Sequence, residues 1–473
     1  MAKIKVPVWL MAVGMSVTLV GGAAVGYATR GTVDSANPTQ ATLPAGFNKV
    51  LATYATVQNN YYQDVSATKL ANGAINGMLS SLDDPYSVYL QNSDKTDLDS
   101  TISASFGGIG ATVQQGDNKL TIESILADTP AKKAGLKVGD QLISVNGKSV
   151  EKLDVTQAVA KIRGKIGTKV KVVVRRDGKD LTFTMTRAKI TTDTVTYALA
   201  KTNKQVGVIT MATFSEPTAA QFKKAVKALR KEGATRFVLD LRENPGGMLD
   251  AALQIASMCL KDGQTIVQVK PRTGKTEVYK ANKAYDKGFK VTEPLAVVID
   301  GNSASASEIL AAALNQNNRG PLVGVKSFGK GTVQNVAQMS SSAELKLTIA
   351  KWLTPNGSWI HHKGLKPTIK VDYPAYAKIS MISATKLQVG DQKGDVKSLQ
   401  QILKTLGFDP KSQNGYYGPT TAAAVKAFQT ANKLAVTGTA DTKTISAMMT
   451  KLATKYQGED PMLDTAIKAA GKE

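Results

Sequence analysis

The segment LAVVIDGNSASASEILAAALNQ, residues 295–316, joins an apolar run of strand length to an apolar helix through a turn rich in serine. Three similar runs, VGVITM, RFVLDL and PLVGV, alternate with amphipathic helices between residues 190 and 375. Short, wholly apolar strands that alternate with helices are typical of a parallel sheet whose strands cross over through helices. The sequence therefore predicts an α/β core for this part of the chain.

Outside this core, the pattern of side chains changes along the sequence. Apolar residues recur at helical spacing in residues 47–98, short strands alternate with the turns VNGK and RDGK in residues 99–189, and two amphipathic helices lie in residues 391–450. We therefore expect a multidomain α/β protein. Its parts are a cytoplasmic stub and transmembrane helix (1–30), a linker (31–46), a helical region (47–98), a β-rich module (99–189), an α/β core (190–378), a small all-α domain (391–450) and a partly frayed tail (451–473).

The N-terminus predicts the compartment. The run from Val6 to Ala28 contains no charged residue and, as a helix, is long enough to cross a hydrocarbon layer of about 30 Å. Lys3 and Lys5 precede it, so the positive-inside rule places the bulk of the chain outside the cytoplasm. A cleaved signal peptide is the competing interpretation, because small residues crowd the end of the run. We expect a single-pass cell-membrane protein, or a secreted one if this segment is cleaved.

Composition argues against several classes of protein. The formal net charge is +23, and the lysines and arginines are spread along the chain. Without a zinc-finger spacing or an RNA-binding aromatic cluster, an anionic membrane or wall polymer is a better partner than nucleic acid. Cys259 is the only cysteine and there are two histidines, so no disulfide framework, metal or other cofactor is expected. Cys259 itself lies in an apolar helical pattern and is predicted to be buried.

The serines of NSASAS stand at the expected start of a helix. Ser305 and Glu308 fit the S-x-x-E capping box, in which each side chain satisfies a free N–H of the first turn. The same position suits a nucleophile, because free N–H groups and the helix dipole stabilise negative charge on a substrate oxygen. Spacing alone does not choose among Ser303, Ser305 and Ser307.

A candidate base follows in VGVKSFGKGTVQNV. Lys330 lies between Gly329 and Gly331, which allow the backbone to turn tightly. A lysine removed from water has a lowered pKa and can accept a proton from a serine. If this segment is extended, Lys330 and Gln334 lie on one face, so Gln334 could orient the amine. The alternative is an ordinary exposed loop lysine.

Two other motif interpretations fit poorly. GVKSFGKGT matches the start of a P-loop, but Gly331 stands where magnesium binding needs Ser or Thr, and a strand-like segment follows. The S-x-x-K pattern of penicillin-binding enzymes occurs at three scattered places, without the S-D-N and K-T-G motifs that accompany it.

Four motifs together resemble the carboxyl-terminal processing proteases of peptidase family S41: NSASASEILAAAL, SFGKGTVQ, LDLRENPGG and KWLTPNGSWIHHKGLKPT. The resemblance covers about residues 45–375. It implies a serine peptidase in which Ser305, the middle serine, is the nucleophile. In that family the lysine equivalent to Lys330 is the base, and the glutamine equivalent to Gln334 holds it.

The same resemblance implies an oxyanion hole at the loop LRENPGG. One N–H of Gly246 or Gly247, together with that of Ala306, would stabilise the oxyanion. Family members usually carry Asn where this chain has Glu243, which leaves the detailed geometry of the loop open.

The β-rich module resembles a PDZ domain, in which FGGIG matches the carboxylate-binding loop and AGLKVGDQLISVNGKSV the second signature. N–H groups of such a loop cap a C-terminal carboxylate, and the bound peptide adds as a strand. Substrate contacts are therefore expected at Phe106, Gly107, Gly108, Ile109 and Gly110.

Residues 391–450 are similar to a three-helix peptidoglycan-binding-like domain, through motifs such as LQQILKTLG and YGPTTAAAVKAFQ. Peptidoglycan or an anionic wall polymer is the expected partner. A dimerisation or spacer unit is the alternative, and a homo-oligomer stays open.

These features predict an extracytoplasmic serine endopeptidase of a Gram-positive cell surface. It would recognise protein C-termini through its PDZ domain and cleave peptide bonds at a Ser-Lys-Gln site through an acyl-enzyme. The alternative is a catalytically inactive, wall-associated PDZ scaffold.

Overall fold

The computed structural model describes residues 44, 46–116 and 119–471. The predicted membrane segment, residues 6–28, therefore lies outside the described residues. In the part of the chain that the structure describes, no helix is both long enough and apolar enough to span a bilayer. The first elements are α1 (Phe47–Asn60), α2 (Ala67–Ser80), β1 (Val88–Gln91) and α3 (Asn92–Ser103). The helices follow the predicted helical pattern, whereas the strand β1 was not predicted.

A β-rich module with its own core follows. Val170, Val172 and Val174 alternate along one strand and are fully buried, as the period of two predicts. The main sheet has the antiparallel order β3-β4-β5-β7-β8, while β2 pairs separately with β9. The elements are β2 (Ser105–Gly108), β3 (Ala111–Gly116), β4 (Lys119–Ile125), α4 (Pro130–Ala134), β5 (Gln141–Val145), β6 (Lys148–Ser149), α5 (Val155–Ile162), β7 (Lys169–Arg176), β8 (Lys179–Thr186) and β9 (Ala188–Thr191).

The next region is the α/β core. Its elements are β10 (Val195–Leu199), β11 (Val206–Met211), α6 (Thr218–Lys231), β12 (Arg236–Asp240), α7 (Leu249–Cys259), β13 (Thr265–Pro271), β14 (Glu277–Lys280), α8 (Lys283–Asp286), β15 (Leu295–Ile299), α9 (Ala306–Gln316), β16 (Leu322–Gly324), β17 (Thr332–Ser340), β18 (Ala343–Leu353) and β19 (Ile369–Lys370).

The central sheet confirms the predicted parallel core. Its strand order is β10-β11-β12-β15-β16-β19, with every neighbouring pair parallel except β10 and β11. The four apolar runs of the sequence form β11, β12, β15 and β16, and every residue of β15 is buried. The edge strands β10 and β19 have no comparable apolar run, and the sequence analysis did not predict them.

A second, antiparallel sheet stands beside the core. Strand β18 pairs with β17, with β1 and with β13, and β14 pairs with β13. Because β1 belongs to the N-terminal helical region, that region is hydrogen-bonded to the core rather than merely connected to it by chain.

The C-terminal region contains β20 (Lys386–Leu387), α10 (Gly394–Thr405), α11 (Pro419–Ala431), β21 (Ala440–Asp441), α12 (Thr442–Lys455) and α13 (Pro461–Ala469). The first three of these helices enclose a small core of their own, with Leu399, Val425 and Phe428 almost completely buried.

The prediction of a frayed tail is wrong. Helix α12 runs on to Lys455, and α13 packs Met462, Ala466 and Ile467 against one face of the central sheet, while α6, α7 and α9 lie against the other. The sequence analysis missed α13 because its apolar stripe is short and follows a polar stretch. The small helical domain is thus inserted in the sequence between two parts of the core.

An ion-pair cluster fixes the start of α13. Arg242, at the end of β12, donates to both carboxylate oxygens of Asp460 at 2.8 and 2.7 Å and also pairs with Asp240 at 2.6 Å. Asp460 in turn caps α13 by accepting from the N–H of Leu463. A bidentate arginine–carboxylate pair of this kind has a defined geometry, so it sets the position of the helix on the sheet.

The packing of α13 can be tested with Met462→Ala, which removes an almost fully buried side chain from the face of the sheet. We expect the free energy of unfolding to fall by about 2–4 kcal/mol, because the substitution leaves a cavity. Lys468→Ala, at an exposed position of the same helix, is the control and should change little. Equal urea midpoints for the two variants would show that α13 does not stabilise the core.

Candidate active site

The predicted site residues lie at the carboxyl ends of parallel strands. The loop to Gly247 follows β12, the turn to Ser305 follows β15, and the loop to Lys330 follows β16. Because β12, β15 and β16 are neighbours in the sheet, these three loops meet at one edge. Ligand sites of open α/β sheets occupy this edge.

Ser305 has a strained backbone. Its φ of 55° and ψ of −113° lie outside the regions that residues other than glycine normally occupy, and its side chain is almost fully buried. The residue stands in the turn between β15 and the first turn of α9. Strain at such a turn persists only where surrounding contacts hold it, and it is concentrated at functional sites.

The hydrogen bonds of the three serines distinguish them, which their spacing in the sequence could not do. Ser303 Oγ donates to the carbonyl of Leu241 at 2.8 Å, and Ser307 Oγ donates to the carbonyl of Asn244 at 2.9 Å. Within the described residues, the Ser305 hydroxyl donates to no such carbonyl. Ser303 and Ser307 therefore dock the loop after β12, whereas Ser305 keeps a hydroxyl that can donate to a base.

The docked loop presents two backbone N–H groups beside Ser305. The N–H of Gly246 is occupied by Asn244 Oδ1 at 2.9 Å, while no described residue accepts from the N–H of Gly247 or of Ala306. Gly246 stands so close that an added Cβ would lie 2.9 Å from that of Ser305. Of the two glycines left open by the sequence, Gly247 is therefore the better oxyanion donor, together with Ala306 at the helix N-terminus.

Glu243, where the family usually has Asn, adopts a left-handed backbone with φ of 57°. Its carboxylate accepts from Asn302 Nδ2 at 2.9 Å, and its N–H donates to Asp300. Asn tolerates this conformation better than Glu. The contacts of Glu243 with the β15 turn keep the loop in place despite the substitution.

Lys330 is completely buried. Its Nζ donates to Gln334 Oε1 at 2.7 Å and lies 4.7 Å from the ring centroid of Tyr86. Its carbonyl accepts from Trp352 Nε1 at 2.8 Å, so the backbone is fixed as well as the amine. The alternative of an exposed loop lysine is wrong, because the neighbouring strands cover it.

Gln334 owes its position to a β-bulge. The pairing register of β17 and β18 shifts between Val333 and Gln334. Bulges re-aim side chains and are common next to active sites. Its Nε2 donates to Thr332 Oγ1 and Thr348 Oγ1, each at 3.0 Å, which turns Oε1 towards Lys330. The sequence prediction that Gln334 orients the amine agrees with this geometry.

Glu308 joins the serine turn to the lysine loop. One carboxylate oxygen accepts from the N–H of Ser305 at 2.9 Å and from the N–H of Lys330 at 2.8 Å. The other accepts from Ser327 Oγ and from the N–H of Gly329. The capping box predicted by the sequence is thus half of a larger contact that brings Ser305 and Lys330 to the same oxygen atom.

Burial sets the protonation state of the lysine. Loss of water lowers the pKa of Lys330 well below its ordinary value, and the positive charge of Lys346 lowers it further, while Asp84 and Glu308 raise it. A neutral amine that accepts a proton at moderate pH is what a general base requires. Lys330 has the environment of a base.

Other residues of the site were missed by the sequence analysis. A cavity of about 400 Å³ is lined by residues 82–87 together with Thr332, Thr348, Trp359, His361 and His362. His361 accepts from the N–H of Gly331 through Nδ1 at 3.2 Å, and its ring stacks on Trp359. The segment DDPYS gave no sequence signal beyond the end of a helix.

The five residues predicted to bind a C-terminus lie at the start of the β-rich module. Phe106, Gly107 and Gly108 belong to β2 and pair with β9, so they form a strand rather than a free loop. Ile109 and Gly110 follow, and their carbonyls accept from Ala131 and Leu126. The Arg163 guanidinium lies 4.0 Å from the centroid of the Phe106 ring, at the end of α5.

Cys259 lies outside this site. Cys259 is buried in α7, and burial raises the pKa of its thiol to about 12, so it is an unreactive core residue. Within residues 46–116 and 119–471, no three acidic, histidine or cysteine side chains converge in a way that could hold a metal ion.

Comparison with known proteins matches four family models to consecutive parts of the chain. They are the N-terminal domain of the activating protease CtpB (residues 11–94), the PDZ domain (99–175), peptidase family S41 (205–371) and a peptidoglycan binding domain (392–448). The predicted PDZ and peptidoglycan-binding-like resemblances are confirmed.

Similar proteins span nearly the whole chain. The carboxy-terminal processing protease CtpA of Bacillus subtilis is 42% identical over 90% of this chain and 91% of its own length. CtpB of the same organism is 40% identical over 95% of this chain and 96% of its own. A solved photosystem II D1 C-terminal processing protease is 26% identical, covers 71% of this chain and 95% of its own, and has a TM-score of 0.41. The chain therefore belongs to peptidase family S41, as a carboxyl-terminal processing serine protease.

Proposed function

We propose that this protease cleaves peptide bonds with a Ser-Lys-Gln site, in which Ser305 is the nucleophile, Lys330 the general base and Gln334 the residue that orients it. The observation that carries the proposal is the shared carboxylate oxygen of Glu308, which accepts from the N–H groups of both Ser305 and Lys330. It brings a strained serine, whose hydroxyl donates to no described backbone carbonyl, close to a completely buried lysine.

In the first half of the reaction, Lys330 Nζ takes the proton of the Ser305 hydroxyl as Oγ attacks the scissile carbonyl carbon. The N–H groups of Gly247 and Ala306 stabilise the oxyanion that develops. Lys330 then returns its proton to the nitrogen of the leaving segment, the C–N bond breaks, and an ester on Ser305 remains.

In the second half, Lys330 is neutral again and accepts a proton from a water molecule that attacks the ester. The tetrahedral intermediate uses the same two N–H groups, and Ser305 leaves with the proton held by Lys330. Throughout, Gln334 Oε1 accepts from the amine, which keeps the lysine directed at the serine in both protonation states.

Substrate selection falls to the PDZ domain. A peptide bound there adds as a strand and places its free carboxylate against backbone N–H groups near Phe106 to Gly110. Because this domain and the protease core belong to one chain, a C-terminal segment bound to the domain has a raised effective concentration at Ser305.

The compartment and wall association complete the proposal. The charge-free run from Val6 to Ala28, preceded by lysines, supports a membrane-anchored or secreted protein whose bulk is extracytoplasmic. A peptidoglycan binding domain and a net charge of +23 support a location at the anionic surface of a Gram-positive cell.

The nucleophile and base can be tested with Ser305→Ala and Lys330→Ala, assayed against an unfolded protein. Each should lower kcat/KM by at least about 1000-fold, because residues that act as one catalytic unit are each required. Lys326→Ala, at an exposed lysine of the same loop, is the matched control and should stay active. Substantial cleavage by the Lys330 variant would exclude lysine as the base.

The role of Gln334 predicts a pH effect. Activity should rise with pH through the pKa of Lys330, because only the neutral amine accepts the serine proton. Gln334→Glu places a negative charge against the ammonium form, so the acidic limb of the pH–rate profile should move up by about one unit. Gln338→Glu adds the same charge at an exposed position of β17 and should leave the limb unchanged. If the acidic limb has the wild-type position in both variants, the assignment of Gln334 as the residue that orients Lys330 is contradicted.

Recognition of C-termini can be measured with the full chain carrying Ser305→Ala, so that bound peptide is not cleaved. Amidation of the peptide C-terminus should weaken binding about 10- to 100-fold, because charge-assisted hydrogen bonds to the carboxylate are lost. A peptide with a scrambled interior and the same last residues is the control and should bind like the parent. Equal affinities for the free and the amidated peptide would refute carboxylate recognition.

A further inference from the structure

The N-terminal helical region supplies part of the surroundings of Lys330. Strand β1 pairs with β18, and the segment just before it covers the lysine amine with the ring of Tyr86. This segment, residues 84–87, lies about 240 positions before Lys330 in the chain. The protease therefore builds its lysine environment from two distant parts of the sequence.

Asp84 is held firmly at this place. Its carboxylate accepts from Ser87 Oγ at 2.6 Å and from the N–H of Tyr86 at 3.1 Å. Burial would raise the pKa of Asp84, but these hydrogen bonds hold it below its ordinary value. Asp84 is therefore a fixed negative charge over the whole working range of pH.

A continuous series of hydrogen bonds links Asp84 to the amine of Lys330. Ser87 Oγ, which donates to Asp84, accepts from the N–H of Thr348 at 3.0 Å. Thr348 Oγ1 accepts from Gln334 Nε2, and Gln334 Oε1 accepts from Lys330 Nζ. Asp84 and the Lys330 amine are thus joined by contacts that run through Ser87, Thr348 and Gln334.

Lys346 supplies the opposite charge. It lies on β18 two residues before Thr348, so the two side chains share a face of the sheet, and it pairs with Val88 and Val336. Its side chain is almost completely buried. Burial lowers the pKa of Lys346 to about 8, and the negative charge of Asp84 acts in the opposite direction.

The other charged or titratable groups around Lys330 are few. Glu308 faces it from α9, His361 from the loop after β18, and Tyr86 from the segment before β1. Glu308 acts on the amine in the same direction as Asp84, but its two oxygens are held by four donors of the two loops, and burial lowers the pKa of His361. Beside Glu308, the charges that act on the Lys330 amine are Asp84 and Lys346, which have opposite signs.

We propose that Asp84 and Lys346 are opposed positioning residues that set the proton affinity of Lys330, Asp84 favouring the protonated amine and Lys346 the neutral one. This inference rests on the proposed function, in which Lys330 is the base. Lys346 keeps the resting amine neutral, and Asp84 stabilises the ammonium that forms when Ser305 gives up its proton.

The test compares the pH dependence of kcat/KM for single variants of the full chain. Asp84→Asn should move the acidic limb to lower pH by about one unit, and Lys346→Met should move it to higher pH by about as much. Lys346→Arg keeps the positive charge, so its acidic limb should have the wild-type position. The double variant Asp84→Asn with Lys346→Met should lie close to wild type, because the two effects cancel.

A second measurement does not depend on substrate binding: the rate at which a fluorophosphonate labels Ser305 across the same pH range should show the same opposed shifts. A merely structural role would lower both rates without moving the limb. Unmoved limbs, or limbs that move in the same direction for Asp84→Asn and Lys346→Met, would overturn the inference.

Lys330→Ala separates this inference from the proposed function. If that variant remains active, the assignment of the base fails. If it is inactive but the Asp84 and Lys346 variants keep the wild-type pH profile, only the role of the two flanking charges fails. Should Asp84→Asn not fold, Lys346→Met and Lys346→Arg, on a different strand, still decide the point.

Discussion

The buried carboxylate of Glu308 is the contact on which the site depends. It accepts four hydrogen bonds, two at each oxygen, from the serine turn and from the loop that carries Lys330. A carboxylate taken out of water costs several kcal/mol unless such donors replace the water. The two loops therefore have to meet around it, and the geometry of Ser305 and Lys330 follows from that meeting rather than from either loop alone.

The rest of the site keeps this geometry without a hydrogen bond from the Ser305 hydroxyl to a described backbone carbonyl. Ser303 and Ser307 use their hydroxyls to dock the loop after β12, and the Trp352 indole holds the carbonyl of Lys330. The unfavourable φ of Ser305 is tolerated because its neighbours on both sides are fixed. Of the three serines in this turn, the proposed nucleophile is thus the one whose hydroxyl does not dock the neighbouring loop.

The sequence predicted what local patterns encode. The apolar runs identified the parallel strands, and the motif resemblance singled out Ser305 and Lys330, which spacing alone could not do. Gln334 was accessible to sequence reasoning because it lies four residues from Lys330. Asp84 and Lys346 were not, because their proximity depends on the pairing of β1 with β18, a contact between segments about 260 residues apart. Helix α13 was missed because its apolar stripe is short. The surface that this stripe covers, one face of the central sheet, cannot be identified from the local sequence.

The return of α13 to the central sheet has a consequence for the order in which the protein is made. Residues 461–469 cover a face of the strands that carry the site, and Arg242 holds the first turn of that helix close to the loop of Gly247. During synthesis, residues 190–378 are made before this helix and have an uncovered apolar face until residues 461–469 have followed. The face of the central sheet opposite α6, α7 and α9 is therefore completed only when residues beyond the small helical domain have been added.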